Sequence, residues 1–168
     1  MKISGFLVGQ FLILSVVAMF FYPGGNHIDP STEGYGLFSN TFSELGRVRS
    51  YAGNPKPVSR FIFSGSLSLA GAGLFLFVLS LGVHIRRRGL LKEDRLLFAA
   101  ALLFGGLTAM GFELIALCPA DTQFELHFVG VYGGFSAFLP TALSFGMFLR
   151  RGGEEDREAS RVLFAFAA

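Results

Sequence analysis

Four long stretches of the chain consist almost entirely of apolar residues. They cover residues 3–22, 61–83, 96–117 and 128–149, and Glu113 is the one charged residue within them. Each has the ~20 residues that a helix needs to cross a hydrocarbon core about 30 Å thick. None has the polar face of a soluble amphipathic helix. The pattern therefore predicts an all-α fold, a polytopic transmembrane helical bundle.

The end of the chain continues this pattern over a shorter length. Residues 162–168 are apolar again and look like the beginning of a fifth span, but they are too few to cross a bilayer. We expect four full spans plus the start of a fifth, in a chain that is a fragment of a longer protein. The alternative is a tail that lies at the membrane surface.

Composition supports a membrane location and excludes several other classes. Hydrophobic residues make up 52% of the chain and charged residues 15%, whereas soluble domains carry about 25% charged residues. Scarce charge argues against a disordered chain and against a nucleic-acid partner, and the lone Cys118 argues against a disulfide framework. The partner that the sequence predicts is the lipid bilayer.

The basic residues predict an orientation in the cell membrane. Lys and Arg are enriched on the cytoplasmic side of multi-pass proteins. With a cytoplasmic amino terminus, four basic residues lie outside, namely Arg47, Arg49, Lys56 and Arg60. The remaining ten then lie inside: Lys2, Arg86, Arg87, Arg88, Lys92, Arg95, Arg150, Arg151, Arg157 and Arg161.

Small residues and one proline predict how the spans pack. The pairs Gly5/Gly9 and Gly130/Gly134 have the GxxxG spacing that lets two helix backbones approach closely. Pro140 lies within the fourth span and removes one backbone hydrogen bond, so we expect a kink there. The kink either serves packing or opens a cavity.

The two outer loops carry most of the polar residues. Loop 23–60 contains a predicted short helix near 38–46, in which Thr41 and Glu44 fit a capping box and Gly46 can end the helix. In the second loop, Asp121 and Thr122 are placed to cap the fourth helix. We expect the first loop to tuck partly against the bundle.

The polar residues near the outer side form a candidate ligand-binding set: His27, Asp29, Ser43, Glu44, Glu113, Asp121 and His127. A divalent metal such as zinc could be held by His27, Asp29, Asp121 and His127, which together offer two imidazoles and two carboxylates. Catalysis could instead use Ser43 as nucleophile, with His127 as base and Glu44 as a supporting carboxylate. The structural alternative assigns these residues to turns, caps and buried hydrogen bonds, with Glu113 and His127 forming a pair.

Several short motifs resemble a known family. They are the run Phe42-Ser43-Glu44-Leu45-Gly46 after the first span, Asn54-Pro55 before the second, and the Cys118-Pro119-x-Asp121…His127 turn before the fourth. Together they resemble the prokaryotic six-span membrane proteins called domain of unknown function 998. The resemblance implies a small helical bundle whose last spans are missing here, and it implies no activity. The residues that match its motifs are Ser43, Glu44, Gly46, Pro119, Asp121 and His127.

Three functions are compatible with these features. The first is a non-catalytic membrane protein whose outer polar cluster binds a lipid headgroup, a small solute or a partner protein. The second is an intramembrane metal- or serine-dependent hydrolase of a lipid or an amide. The third is a transporter of protons or small solutes that uses Glu113 in a cavity opened at Pro140. Whether the protein is an enzyme, and its oligomeric state, stay open at the level of sequence.

Overall fold

The computed structural model of the protein describes residues 2–91 and 94–167. These residues form five α-helices and one 3₁₀ helix, with no β-strand among them, so the predicted all-α helical bundle is confirmed. The helices are α1 (Lys2–Phe20), α2 (Pro57–Arg87), α3 (Arg95–Leu117), α4 (Phe124–Leu149) and α5 (Glu154–Ala167), and the 3₁₀ helix is Phe42–Gly46. Lys92 of the predicted inner set and Ala168 of the predicted fifth span lie outside the described residues.

Helices α1 to α4 are long and apolar enough to cross a membrane. Helix α2, with 31 residues, is about 46 Å long at the usual rise per residue. It is therefore longer than the hydrocarbon core of about 30 Å is thick, and Arg60, His84 and Arg86 lie near its ends. Helix α1 ends two residues before the predicted boundary because Pro23 disfavours helical backbone at Tyr22.

Each helix packs mainly against its neighbours in sequence. Helices α2 and α3 are central, α1 packs on α2, α4 packs on α3, and α5 packs on α4. Two apolar clusters fill the interfaces. One cluster surrounds Ile85 and Phe148, and the other, at the opposite end of the bundle, surrounds Leu45 and Phe63.

Glycines allow the closest helix approach between α3 and α4. A Cβ placed on Gly111 would collide with the Cα of Gly134 and lie 2.8 Å from the carbonyl oxygen of Gly130. The packing role predicted for Gly130 and Gly134 is therefore confirmed. The same prediction for Gly5 and Gly9 is wrong, because among the described residues no atom beyond the backbone of α1 itself lies within 4 Å of a Cβ at either position.

Helix α5 begins at Glu154, before the predicted apolar tail. Its first turn contains Glu154, Glu155 and Asp156, and acidic residues stabilise a helix N-terminus. Two polar contacts attach it to the bundle. Asp156 Oδ1 lies 2.7 Å from Nε2 of His84 on α2, and the Ser160 hydroxyl donates to the carbonyl of Gly146 on α4 over 2.8 Å.

Residues 21–56 fold over the end of the bundle that the sequence predicts to lie outside the cell, and we call this segment the outer cap. Its 3₁₀ helix covers Phe42–Gly46, a shorter segment than the predicted 38–46. The predicted capping box is wrong. Thr41 makes no side-chain cap bond, its hydroxyl lies 3.1 Å from that of Ser43, and Glu44 instead accepts a hydrogen bond from the Asn40 amide.

Candidate functional site

Glu44 is the buried centre of the outer cap. Its carboxylate accepts a hydrogen bond from the Asn40 side chain, and Nδ1 of His27 lies 3.7 Å from Oε1 of Glu44. Asn40 also donates to the carbonyl of Gly25 over 3.0 Å, which ties two turns of the cap together. Burial, together with the charge of Glu44, raises the pKa of Tyr35 to about 12. These contacts make Glu44 a structural anchor of the cap.

Lys56 joins the outer cap to the beginning of α2. Its Nζ donates to the carbonyl oxygen of Leu45 over 2.6 Å and lies 5.2 Å from the centroid of the Tyr22 ring. The side chain is buried. Burial lowers the pKa of Lys56 to about 7, because the ammonium loses its hydration.

Lys56 should make stability depend on pH in the neutral to alkaline range. Between its folded pKa of about 7 and its ordinary value of 10.5, the unfolded chain holds one more proton than the folded chain. The free energy of unfolding should therefore rise with pH in this window, by up to about 1.4 kcal/mol per pH unit. Lys56→Met should flatten that rise, as measured by unfolding titrations with sodium dodecyl sulfate. The same profile in wild type and Lys56→Met would contradict the assignment, and the exposed Arg88→Met is the control.

Asp121 connects the two outer loops. Its Oδ1 accepts from the backbone N–H of Val48 and its Oδ2 from that of Arg49, each over 3.0 Å. Burial by itself raises the pKa of Asp121, but the hydrogen bonds from Arg49 and Val48 outweigh it and lower the pKa below 3.8. The prediction that Asp121 and Thr122 cap α4 is wrong, because Gln123 precedes the helix and no side chain bonds to its first amides.

The structure does not bring the four predicted zinc ligands together. Asp29 accepts hydrogen bonds within its own turn from the amide and hydroxyl of Ser31, and His127 Nδ1 lies 2.8 Å from the carbonyl oxygen of Cys118. His27 faces Glu44, and Asp121 faces the amides described above. Within residues 2–91 and 94–167, no three His, Cys, Asp or Glu side chains are placed to hold a metal ion.

The predicted nucleophile and base are also separate. The Ser43 hydroxyl contacts that of Thr41, whereas the ring of His127 bonds to the Cys118 carbonyl. A serine nucleophile requires a base within hydrogen-bonding distance. The proposed buried pair of Glu113 and His127 is not formed either, because Glu113 turns towards α2.

Glu113 faces an open crevice between α2 and α3. Its Oε2 accepts a hydrogen bond from the Ser68 hydroxyl over 2.6 Å. Gly71 provides room for the carboxylate, since a Cβ there would lie 2.8 Å from Oε1. Ser68 lines a cavity of about 420 Å³ and Glu113 lines a second cavity of about 240 Å³, so the hydrogen bond links a residue of each, and we call the two cavities together the α2–α3 crevice. Its polar lining is Arg60, Ser64, Ser68 and Glu113.

Sequence reasoning identified Glu113 but missed its partners on α2. Arg60, Ser64 and Ser68 recur at intervals of four and therefore share one helix face. The Ser64 hydroxyl oxygen is buried and has no hydrogen-bond partner among the described residues. The periodicity of these polar residues within an apolar span was the signal that could have revealed the crevice.

The cavity beside Pro140 is a different one. Phe138 and Thr141 line an apolar groove of about 290 Å³ on the side of α1 and α5, and Glu113 is not among its lining residues. Thr141 donates its hydroxyl to the carbonyl of Ala137 over 2.7 Å. The structure therefore does not join Glu113 and Pro140 in the single cavity that the transport hypothesis requires.

No family model, curated protein or solved structure matches this chain. The resemblance to domain of unknown function 998 stays a prediction.

Proposed function

We propose that the protein is an integral membrane protein that binds a single-chain phospholipid, a lysophospholipid, in the α2–α3 crevice. The observation that carries the proposal is the hydrogen-bonded pair of Ser68 and Glu113, which lies in a crevice open along two transmembrane helices. An ionisable side chain at membrane depth is costly and is retained mainly where it has a function.

The crevice offers a different partner for each part of such a lipid. Arg60 lines its outer end and suits a phosphate group, because guanidinium binds phosphate through two parallel hydrogen bonds. Deeper in the crevice, Glu113 can accept a hydrogen bond from the free glycerol hydroxyl that distinguishes a lysophospholipid. Ser64, whose hydroxyl has no partner among the described residues, lies on α2 between Arg60 and Ser68, about one helical turn from each.

The remainder of the crevice is apolar and suits one acyl chain. Below the Ser68–Glu113 pair its lining consists of Gly71, Ala72, Phe75, Ala109 and Met110. Gly71, Ala72 and Ala109 are small, whereas Phe75 and Met110 offer apolar surface for the chain. The proposal also places the amino terminus in the cytoplasm and the mouth of the crevice in the outer leaflet of the cell membrane, which the distribution of basic residues supports.

Native mass spectrometry of the delipidated protein in detergent tests this proposal. We expect 1-palmitoyl lysophosphatidylethanolamine to bind more tightly than dipalmitoyl phosphatidylethanolamine, which lacks the free hydroxyl. Glu113→Gln and Ser68→Ala should each weaken lysophospholipid binding about tenfold, since hydrogen bonds to charged groups contribute roughly 1.5–3 kcal/mol. Equal affinity for the two lipids, or unchanged binding by both variants, would overturn the proposal.

Matched controls come from exposed positions outside the crevice. Ser136→Ala removes an exposed hydroxyl from α4, and Glu125→Gln neutralises an exposed carboxylate in its first turn. Both should retain wild-type binding. Gly71→Ala should weaken binding because the added methyl group displaces the Glu113 carboxylate. Gly106→Ala, which meets no atom within 4 Å, should not.

A further inference from the structure

A second polar cavity lies at the opposite end of the bundle, where α4 connects to α5. Its volume is about 300 Å³, and it is lined by Arg150, Arg157, Ser160, Arg161 and Phe164. Arg150 follows the last residue of α4, while Arg157 and Arg161 are one turn apart on α5. We call this cavity the arginine pocket. Three arginines therefore line one small volume, and no acidic side chain among residues 2–91 and 94–167 lines it.

The positive charge of the arginine pocket is not neutralised by the described part of the protein. Arg150, Arg157 and Arg161 form no ion pair with another described residue. The adjacent Arg151 differs, because it pairs with Asp94 and its guanidinium lies 5.4 Å from the centroid of the Phe148 ring.

The acidic residues of α5 do not line this pocket. Asp156 is buried against His84, and Glu154, Glu155 and Glu158 are exposed. They reduce the net charge of the helix but leave the three arginines free to bind an anion.

The floor of the pocket is apolar. The Phe164 ring packs on α4 so closely that a Cβ on Gly146 would lie 3.1 Å from it. Ser160 is held in place by its bond to the Gly146 carbonyl. Arginines beside an aromatic ring, at the end of a transmembrane helix, match the boundary between lipid headgroups and acyl chains.

We infer that the arginine pocket binds the phosphate group of an anionic phospholipid, with the adjoining acyl chain against Phe164. Guanidinium groups bind phosphate oxygens through paired, charge-assisted hydrogen bonds. A basic pocket between transmembrane helices is a recurrent way to hold an anionic headgroup. This site is separate from the α2–α3 crevice and does not depend on the function proposed there.

Lipid retention by the intact chain tests the inference. The protein is purified in detergent, exposed to phosphatidylglycerol or phosphatidylcholine, and the bound lipid is counted by native mass spectrometry. Phosphatidylglycerol should be retained preferentially. The triple variant Arg150→Gln, Arg157→Gln, Arg161→Gln should weaken its binding by at least about tenfold, because it removes the paired, charge-assisted hydrogen bonds from guanidinium to phosphate.

A control variant with the same change in charge distinguishes a specific binding site from a general electrostatic attraction between the protein and the anionic lipid. Arg86→Gln, Arg87→Gln and Arg88→Gln remove three exposed arginines from the end of α2 and the turn after it. This variant should retain phosphatidylglycerol within about twofold of wild type. An equal loss in both triple variants would overturn the inference, as would equal retention of the two lipids by wild type.

Competition with inorganic phosphate distinguishes the phosphate group of a lipid from free phosphate as the ligand of the arginine pocket. If the pocket serves a lipid, millimolar phosphate should compete weakly with phosphatidylglycerol, because it lacks the acyl chain that contacts Phe164. Complete displacement at low phosphate concentration, together with undiminished lipid binding by Phe164→Ala, would assign the pocket to free phosphate and overturn the lipid inference.

Discussion

Gly111→Ala is expected to lower the free energy of unfolding by about 3 kcal/mol. The added methyl group would collide with the Cα of Gly134 and approach the carbonyl oxygen of Gly130 to 2.8 Å. Both are backbone atoms, so α3 and α4 must move apart, and overpacking of this kind costs roughly 1–3 kcal/mol or more. Thermal unfolding in detergent and titration with sodium dodecyl sulfate would measure the loss.

Gly133→Ala is the matched control for this prediction. Gly133 is the neighbour of Gly134 on α4, but a Cβ there meets no atom within 4 Å. The substitution should leave stability unchanged or raise it by up to about 1 kcal/mol, because alanine favours the helix more than glycine does. Equal destabilisation by Gly111→Ala and Gly133→Ala would show that the close contact between α3 and α4 is not the cause of the lost unfolding free energy.

Asp121→Ala is expected to detach part of the outer cap from the bundle. The substitution leaves the amides of Val48 and Arg49 without their acceptors, which costs about 1–3 kcal/mol for each amide that water does not reach. Trypsin should then cleave after Arg47 and Arg49 faster than in wild type. Asp29→Ala is the control, because Asp29 bonds only within its own turn. Equal cleavage of the two variants would contradict the assignment.

The same carboxylate should make the cap sensitive to acid. The folded pKa of Asp121 is lowered, so its contribution to stability is present above the ordinary pKa of 3.8 and is lost as the pH falls through the folded value. The chain has no tryptophan, and Tyr22, Tyr35 and Tyr51 lie in the cap, so tyrosine fluorescence reports on this region. The wild-type signal should change below about pH 4, and Asp121→Asn should lack this step.

The helices could be predicted from the sequence because each depends on local composition. Apolar runs long enough to span the bilayer, with Glu113 as the one charged residue within them, located α1 to α4 without knowledge of their contacts. The early beginning of α5 was missed because its acidic first turn is polar, and its contacts with His84 and Gly146 come from residues far away in sequence.

The site could not be predicted at the same level because it depends on how helices face one another. A helix that is apolar on every side carries little information about its rotation. One alternative for Glu113 therefore paired it with His127 on α4, whereas it meets Ser68 on α2. The two GxxxG pairs show the same limit. Gly130 and Gly134 contact another backbone, but Gly5 and Gly9 face open space, although their spacing is identical.

Asp121 shows why a prediction from neighbouring residues is wrong when the side chain binds a distant part of the chain. Aspartate before a helix is a common N-cap. Here the carboxylate accepts two hydrogen bonds from Val48 and Arg49, which are more than 70 residues away in sequence. The pattern of residues around Asp121 contains no information about that loop.

The neighbour-to-neighbour packing of the five helices has a consequence for biosynthesis. Because α2 packs on α1, α3 on α2, α4 on α3 and α5 on α4, each helix after α1 finds a packing partner in the helix that left the ribosome before it. Contacts between consecutive segments form quickly, since little chain entropy is lost in closing the connection. The bundle can therefore assemble stepwise during translation, with the outer cap completed only after Asp121 has emerged to bind the amides of Val48 and Arg49.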